Sequence, residues 1–321
     1  MMRIEVRGWV KNMPFCLLIL SVLFFNILSI PVSAGNLTAV RQVKPAVIYG
    51  KNDFVLKNPS GIAVHKTTKN IYVADTVNGR VSVFNPLGRF LFYFGKKGKG
   101  EGQFILPYDI AIGPDGTVYV NDLSSCFIQA FDSDGKFKFH FGGPGTKKGQ
   151  FILPFGLDVD MNGSVYVVDV ESNTVQIFTG QGLFLKQFGR GGARNGEFSQ
   201  PSDVAVDNEG NIYVVEMRNC RVQVFDKEGN YKFKFAQSGS GTGDLSSPKG
   251  IAVSSDGTIY VSDSGNNRIS AFLKNGLFLE FRGERDELKG IEKINIDDEN
   301  YLYVSDSQND RIRIFSVRNK N

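Results

Sequence analysis

Six acidic side chains recur at one register of this chain: Asp75, Asp122, Asp169, Glu216, Asp263 and Asp306. Carboxylates in such number could ligate calcium or do acid–base work. Each one closes the same short phrase, a β-branched residue or leucine, a tyrosine, a valine and one variable residue. Recurrence in every unit points to turn chemistry, in which a carboxylate accepts the backbone N–H groups of the following turn. Arg80, Arg221, Arg268 and Arg311 recur a few residues later and are expected to pair with loop carbonyls or neighbouring carboxylates. A second set of residues breaks the pattern. Just before strand one the units hold Gly61, Asp109, Gly156, Asp203, Gly250 and Lys293, and inside that strand, two residues further on, Ala63, Ala111, Ala205 and Ala252 are matched by Asp158 and Asn295. Polar groups at these inner positions need water, an ion or each other, because burial without a partner costs about 1–3 kcal/mol. Gly-rich stretches such as 95–100 lack the following Lys-Ser or Lys-Thr and precede a strand, which excludes a phosphate loop.

The tyrosines stand at 72, 119, 166, 213, 260 and 303, four intervals of 47 and one of 43. A period of this length signals a propeller or solenoid. Residues 107–142 show the content of one unit. The apolar run 109–112 suits a buried inner strand, Asp115-Gly116 a hairpin, and 117–121 a second strand. Residues 127–131 form a third strand, and 136–141 alternate phenylalanine with polar residues as a half-exposed outer strand does. Four antiparallel strands repeated six times predict an all-β, six-bladed β-propeller. The 27 phenylalanines fit blades that pack face to face. The sixth unit stops after its third strand at 311–315, while Ala46-Val47-Ile48-Tyr49-Gly50 looks like the end of a fourth. The N-terminal segment is therefore expected to complete the last blade and remove an open edge.

Residues 1–34 carry Arg3, Arg7 and Lys11, then an apolar run, then Val32-Ser33-Ala34, the layout of a cleaved export signal. The run at 14–32 is also long enough for an uncleaved membrane anchor. Residues 35–321 form the propeller, exported to the periplasm or outside the cell, or membrane-anchored by that segment. Beyond residue 34 there are 34 basic and 32 acidic residues, so charge argues for neither nucleic acid nor a membrane surface. Cys126 and Cys220 occupy equivalent positions two units apart, too far for a disulfide, and are expected as free thiols.

Pro248-Lys249-Gly250-Ile251-Ala252-Val253 followed by Ile259-Tyr260-Val261-Ser262-Asp263-Ser264-Gly265-Asn266-Asn267-Arg268-Ile269 resembles the NHL-repeat family, in an exported, bacterial-type form, and the resemblance covers essentially the whole chain after the leader. It implies a six-bladed propeller. Similar propellers include bacterial receptor sensor domains, animal RNA-binding proteins, an amidating lyase and, more loosely, lactonases, and a shared fold transfers none of these activities. A lyase of that type would need a histidine-rich metal site, whereas this chain has only His65 and His140, on different parts of the ring.

The crossover into strand one and the turn between strands two and three share one face of the ring. On it the residue after proline is Tyr108 in blade two and Phe155 in blade three, with Leu123, Phe127, Val170 and Met217 nearby, an apolar patch of the kind that marks a partner site. The sequence thus points to a monomeric, non-enzymatic scaffold binding a protein, peptide or glycan through Tyr108, Phe127, Phe155, Asp109, Asp203 and Lys293, with no cofactor, no metal ligands and no nucleic acid. The competing reading is a metal-dependent lactonase- or lyase-like enzyme with calcium or another divalent ion held by Asp109, Asp158, Asp203 and Asn295. No nucleophile–base pair accompanies these residues.

Overall fold

The computed structural model describes residues 38–43 as backbone, 55–282 and 288–317. The leader at 1–34 and the segment 46–50 lie outside the described residues. Six four-stranded antiparallel sheets form the ring. Blade two is typical: Pro107–Ile112, Val118–Asp122, Phe127–Phe131 and Phe137–Gly142, from the axis outward. The turns after strands one and three share one rim, here the hairpin face. The crossovers and the turns after strand two share the other, the crossover face.

Ring closure follows the expected scheme. Thr38–Val43 pairs antiparallel with Arg311–Ser316 and becomes the outer strand of blade six, whose three other strands come from the C-terminal end of the chain. The described part of that outer strand is residues 38–43.

Between consecutive blades lies one apolar cluster, six in all among the described residues. Three seams carry the same phenylalanine trio. Phe131 lies 4.9 Å from Phe94 and 5.6 Å from Phe104, Phe178 stands likewise to Phe141 and Phe151, and Phe225 to Phe188 and Phe198. The first ring of each trio comes from a third strand, the second from an outer strand and the last from the crossover. The wedge that opens away from the axis is thereby filled by flat side chains, each stabilising by about 1.5–3 kcal/mol on burial.

The recurring acids do serve the turns. Asp122 accepts the N–H groups of Ile105, Leu106, Ser124 and Ser125 at 2.6–3.2 Å. Glu216 and Asp263 bind the guanidinium Nε of Arg221 and Arg268 at 2.5 and 2.7 Å, and those arginines also donate to crossover carbonyls. The six acids are buried almost completely. Each is spent on holding its own crossover and turn, which leaves none for a shared ion.

Candidate functional site

The site is built from the inner strands, whose free edges line the axis. In blade two the pairing of Pro107–Ile112 with Val118–Asp122 shifts register between Pro107 and Ile110, and the same irregularity recurs at Pro59, Pro154, Pro201 and Ile291. A bulge there turns the two residues after the proline position toward the bore. These are the pairs Ser60-Gly61, Tyr108-Asp109, Phe155-Gly156, Ser202-Asp203 and Glu292-Lys293. Asn121 and Ser305 accept the N–H groups of Asp109 and Lys293 that the bulges leave over, at 2.5 and 2.8 Å.

Lys293 reaches across the ring. Its Nζ lies 2.9 Å from Asp109 Oδ2 and 2.7 Å from Asp203 Oδ1, and it donates to the Ser202 carbonyl at 3.0 Å. Blades two, four and six thus meet at one ammonium, 1% exposed, whose three N–H bonds are all used. The intervening blades have glycine because nothing else fits. A Cβ on Gly61 would stand 2.5 Å from Asp109 Cα, and one on Gly156 2.5 Å from Asp203 Oδ1. The remaining carboxylate contacts stitch neighbouring inner strands together. Asp109 accepts from Leu157 N–H at 3.0 Å, Asp158 from Val206 N–H at 2.8 Å and Asp203 from Ile251 N–H at 2.9 Å, each 48 residues on.

A second layer covers this triad at the crossover face. The Tyr108 and Phe155 rings are 4.2 Å apart, and the Lys293 ammonium lies 5.7 and 5.6 Å from their centroids, within cation–π range. Tyr108 donates to Glu292 Oε2 at 2.7 Å, and Glu292 also pairs with Lys249. The crossover mouth of the bore is therefore plugged by side chains of the chain itself. Burial pushes the Asp203 carboxyl up to about 8, against the pull of Lys293 and with Asp109 adding to the rise. Burial raises Asp109 as well. Burial lowers the affinity of Lys293 for its proton, but the two carboxylates beside it raise it by more, and the group stays an ammonium.

Five of the six residues singled out from sequence, Tyr108, Phe155, Asp109, Asp203 and Lys293, come together in this plug. Phe127 does not join them. It starts a third strand, with its ring 4.7 Å from His140. Tyr108 is only 8% exposed, so it supplies little of the apolar patch expected of it: its ring is consumed in covering Lys293. Exposed apolar side chains lie on both rims instead, Val77 (43%) and Ile152 (44%) on the crossover face and Leu87, Leu183, Leu277 and Met161 on the hairpin face. Glu292, Asn121 and Ser305 were missed. The alignment that found Lys293 places Glu292 level with Tyr108, and Asn121 departs from the small residues found at most equivalent positions.

A central divalent ion does not fit these residues. The place between Asp109 and Asp203 is filled by the Lys293 ammonium, and each of the two carboxylates also takes a backbone N–H from the next blade. Among the described residues no three His, Cys, Asp or Glu side chains are grouped to hold a metal. His65 accepts N–H bonds in the first turn of blade one and His140 packs on an outer strand. Cys126 and Cys220 are unbridged and buried, with Cys126 Sγ near the Ile152 carbonyl and Cys220 Sγ near that of Met217.

Comparison with known proteins places this geometry. Residues 198–225 and 245–272 match the NHL repeat family, and residues 49–140 match a family described as a 6-bladed beta-propeller. Protein brain tumor of Drosophila melanogaster is 39% identical over 64 residues, 20% of this chain and 6% of that protein, so the likeness spans a small part of its length. Among solved structures, a streptogramin B lyase covers 88% of this chain and 99% of its own at 12% identity, with a TM-score of 0.61. A gluconolactonase from Xanthomonas campestris covers 88% and 98% at 14% identity, with a TM-score of 0.62. A chain of a nidogen/laminin complex covers 75% and 85% at 16% identity, with a TM-score of 0.60. At such identities the likeness concerns the fold. From its strands and these matches together, the chain is a six-bladed β-propeller carrying NHL repeats.

Proposed function

We propose that this propeller is an exported, non-enzymatic binding scaffold whose crossover face receives a protein, peptide or glycan partner. The observation that carries the proposal is the plug. At the crossover mouth of the axis this chain presents a sealed plate of Tyr108, Phe155, Lys249 and Glu292 backed by a buried ion triad. Half-buried Leu123, Phe127 and Met217 and exposed Val77 and Ile152 border the plate and supply apolar contact area. Cleavage after Ala34 would release the domain, and retention of residues 14–32 would hold it at a membrane with the same face available. It acts as a monomer in this proposal.

A photo-cross-linking residue placed at Phe127 or Phe155, and in a control at Leu183 on the hairpin face, tests the assignment in the native envelope. Adducts with one defined partner are expected from the first two positions and not from the third. Adducts from Leu183 alone, or none from the crossover face, would refute it.

A further inference from the structure

The plug closes the bore at one end only. Beneath Asp109, Asp203 and Lys293 the inner strands surround a cavity of about 210 Å³. Val64, Val206, Val253 and Ile296 line both this cavity and a wider recess of about 480 Å³ at the hairpin face. The bore is thus a blind well, open at the rim opposite the proposed partner face, with the ion triad as its floor.

The wall is not uniform. Ala63, Ala111, Ala205 and Ala252 leave space at mid-depth, and the two equivalent positions that are polar, Asp158 and Asn295, belong to blades three and six. In a six-bladed ring those blades are opposite, so a carboxylate and an amide face each other across a ring of methyl groups. Asp158 is held in place: Oδ1 accepts from Val159 N–H at 2.8 Å and Oδ2 from Val206 N–H at 2.8 Å, which leaves each oxygen further acceptor capacity. Asn295 lines the cavity, and its side chain forms no hydrogen bond with any described residue. That amide is partly exposed, so a ligand reaching it takes the place of water and gains only by matching the hydrogen bonds water would make. At the floor one ammonium serves two carboxylates and has no N–H left to give, and among the described residues Asp158 has no basic partner.

We propose that this well binds the primary ammonium group of a small ligand, entering from the hairpin face. Its N–H groups donate to Asp158 and to the amide oxygen of Asn295, and its methylene stem lies along the alanine and valine side chains of the wall. An ammonium supplies donors to a wall that offers acceptors, places a positive charge beside Asp158, and needs no metal-type cluster of acids. The same chemistry is presented by a free alkylamine and by the lysyl side chain of a peptide. The site lies on the other face from the plate of the partner proposal and does not depend on it.

Calorimetric titration of the full-length chain with butylammonium, with butan-1-ol as its uncharged counterpart and with a lysine capped at both ends as the peptide source, tests the inference. Saturable binding of at least one amine, with butan-1-ol weaker by about tenfold or more, is expected, because the loss of a charge-assisted hydrogen bond is of that size. Tighter binding of butylammonium identifies a free amine as the ligand, and tighter binding of the capped lysine a peptide. Asp158→Asn and, separately, Asn295→Ala should each weaken the amine about tenfold while leaving the thermal unfolding transition cooperative. Equal binding of amine and alcohol, absence of saturable amine binding, or amine affinity unchanged in both variants would overturn it.

Discussion

Replacing Lys293 by methionine keeps the length of the side chain and removes its charge. The two carboxylates 2.9 and 2.7 Å from Nζ are then left buried side by side. At an effective dielectric of about 20 each charge pair at that distance is worth roughly 6 kcal/mol before desolvation is counted. The net cost of removing one partner from a buried ionic group is about 3–5 kcal/mol. For a domain of this size that lowers the unfolding midpoint by roughly ten degrees. The loss depends on pH in a defined sense. Burial already raises both acids, Asp203 to about 8 beside its lysine, and without the ammonium both bind protons more tightly still. Lower pH favours their neutral forms and lessens the cost of Lys293→Met, whereas at pH 8 the native state must either carry unpaired charge or take up protons. Urea unfolding of the wild type and variant at both pH values measures the difference. The triple variant Asp109→Asn, Asp203→Asn, Lys293→Met, with no charge left to compensate, should regain most of the loss at pH 8. Equal destabilisation at pH 5 and pH 8, or a triple variant no better than the single one, would show that chain packing beneath Tyr108 and Phe155 decides the outcome, and would refute the electrostatic account of the plug.

Two further expectations concern the inner ring. Burial holds the Asp158 carboxyl up to about 7 against an ordinary 3.8, so between those values the native state keeps a proton that the unfolded chain has lost, and stability falls as pH rises through the window. The span corresponds to on the order of 4 kcal/mol, and Asp158→Asn should flatten the decline between pH 4.5 and 7.5 in urea midpoints; an equally steep decline in the variant would discount the assignment. Gly156→Ala brings a Cβ to 2.6 Å of Asp203 Cα and 2.8 Å of the Ser202 carbonyl, contacts with backbone that cannot move aside. It should cost about 1–3 kcal/mol or more, against roughly 1 kcal/mol for Gly163→Ala, where φ is +81° but nothing lies within 4 Å. Thermal denaturation ranks the pair, and the reverse order would contradict the three-and-three division of the inner ring.

Blade count, strand order within a blade and the turn role of the recurring acids follow from periodicity, because each is a local property written six times. Asp122 and its equivalents could be assigned to turns without coordinates: a hydrogen bond from the next turn needs only neighbours in sequence. The departures from the repeat at 109, 158, 203, 293 and 295 were equally visible. What those departures do to one another was not. Lys293 touches Asp109 and Asp203 only because closure of the ring brings residues 184 and 90 positions apart in sequence to one point on the axis. The same closure turned Tyr108 from an exposed anchor into a lid, since whether an aromatic ring faces water or a buried ammonium depends on what the opposite blades carry. The bounds of the closing strand, 38–43, were not legible, because pairing with Arg311–Ser316 is set by backbone register across the ring and many short β-prone segments would satisfy the local pattern. Local chemistry repeated along the chain determined the scaffold; only the meeting of distant blades at the axis decided that one mouth of the bore is sealed and the other open.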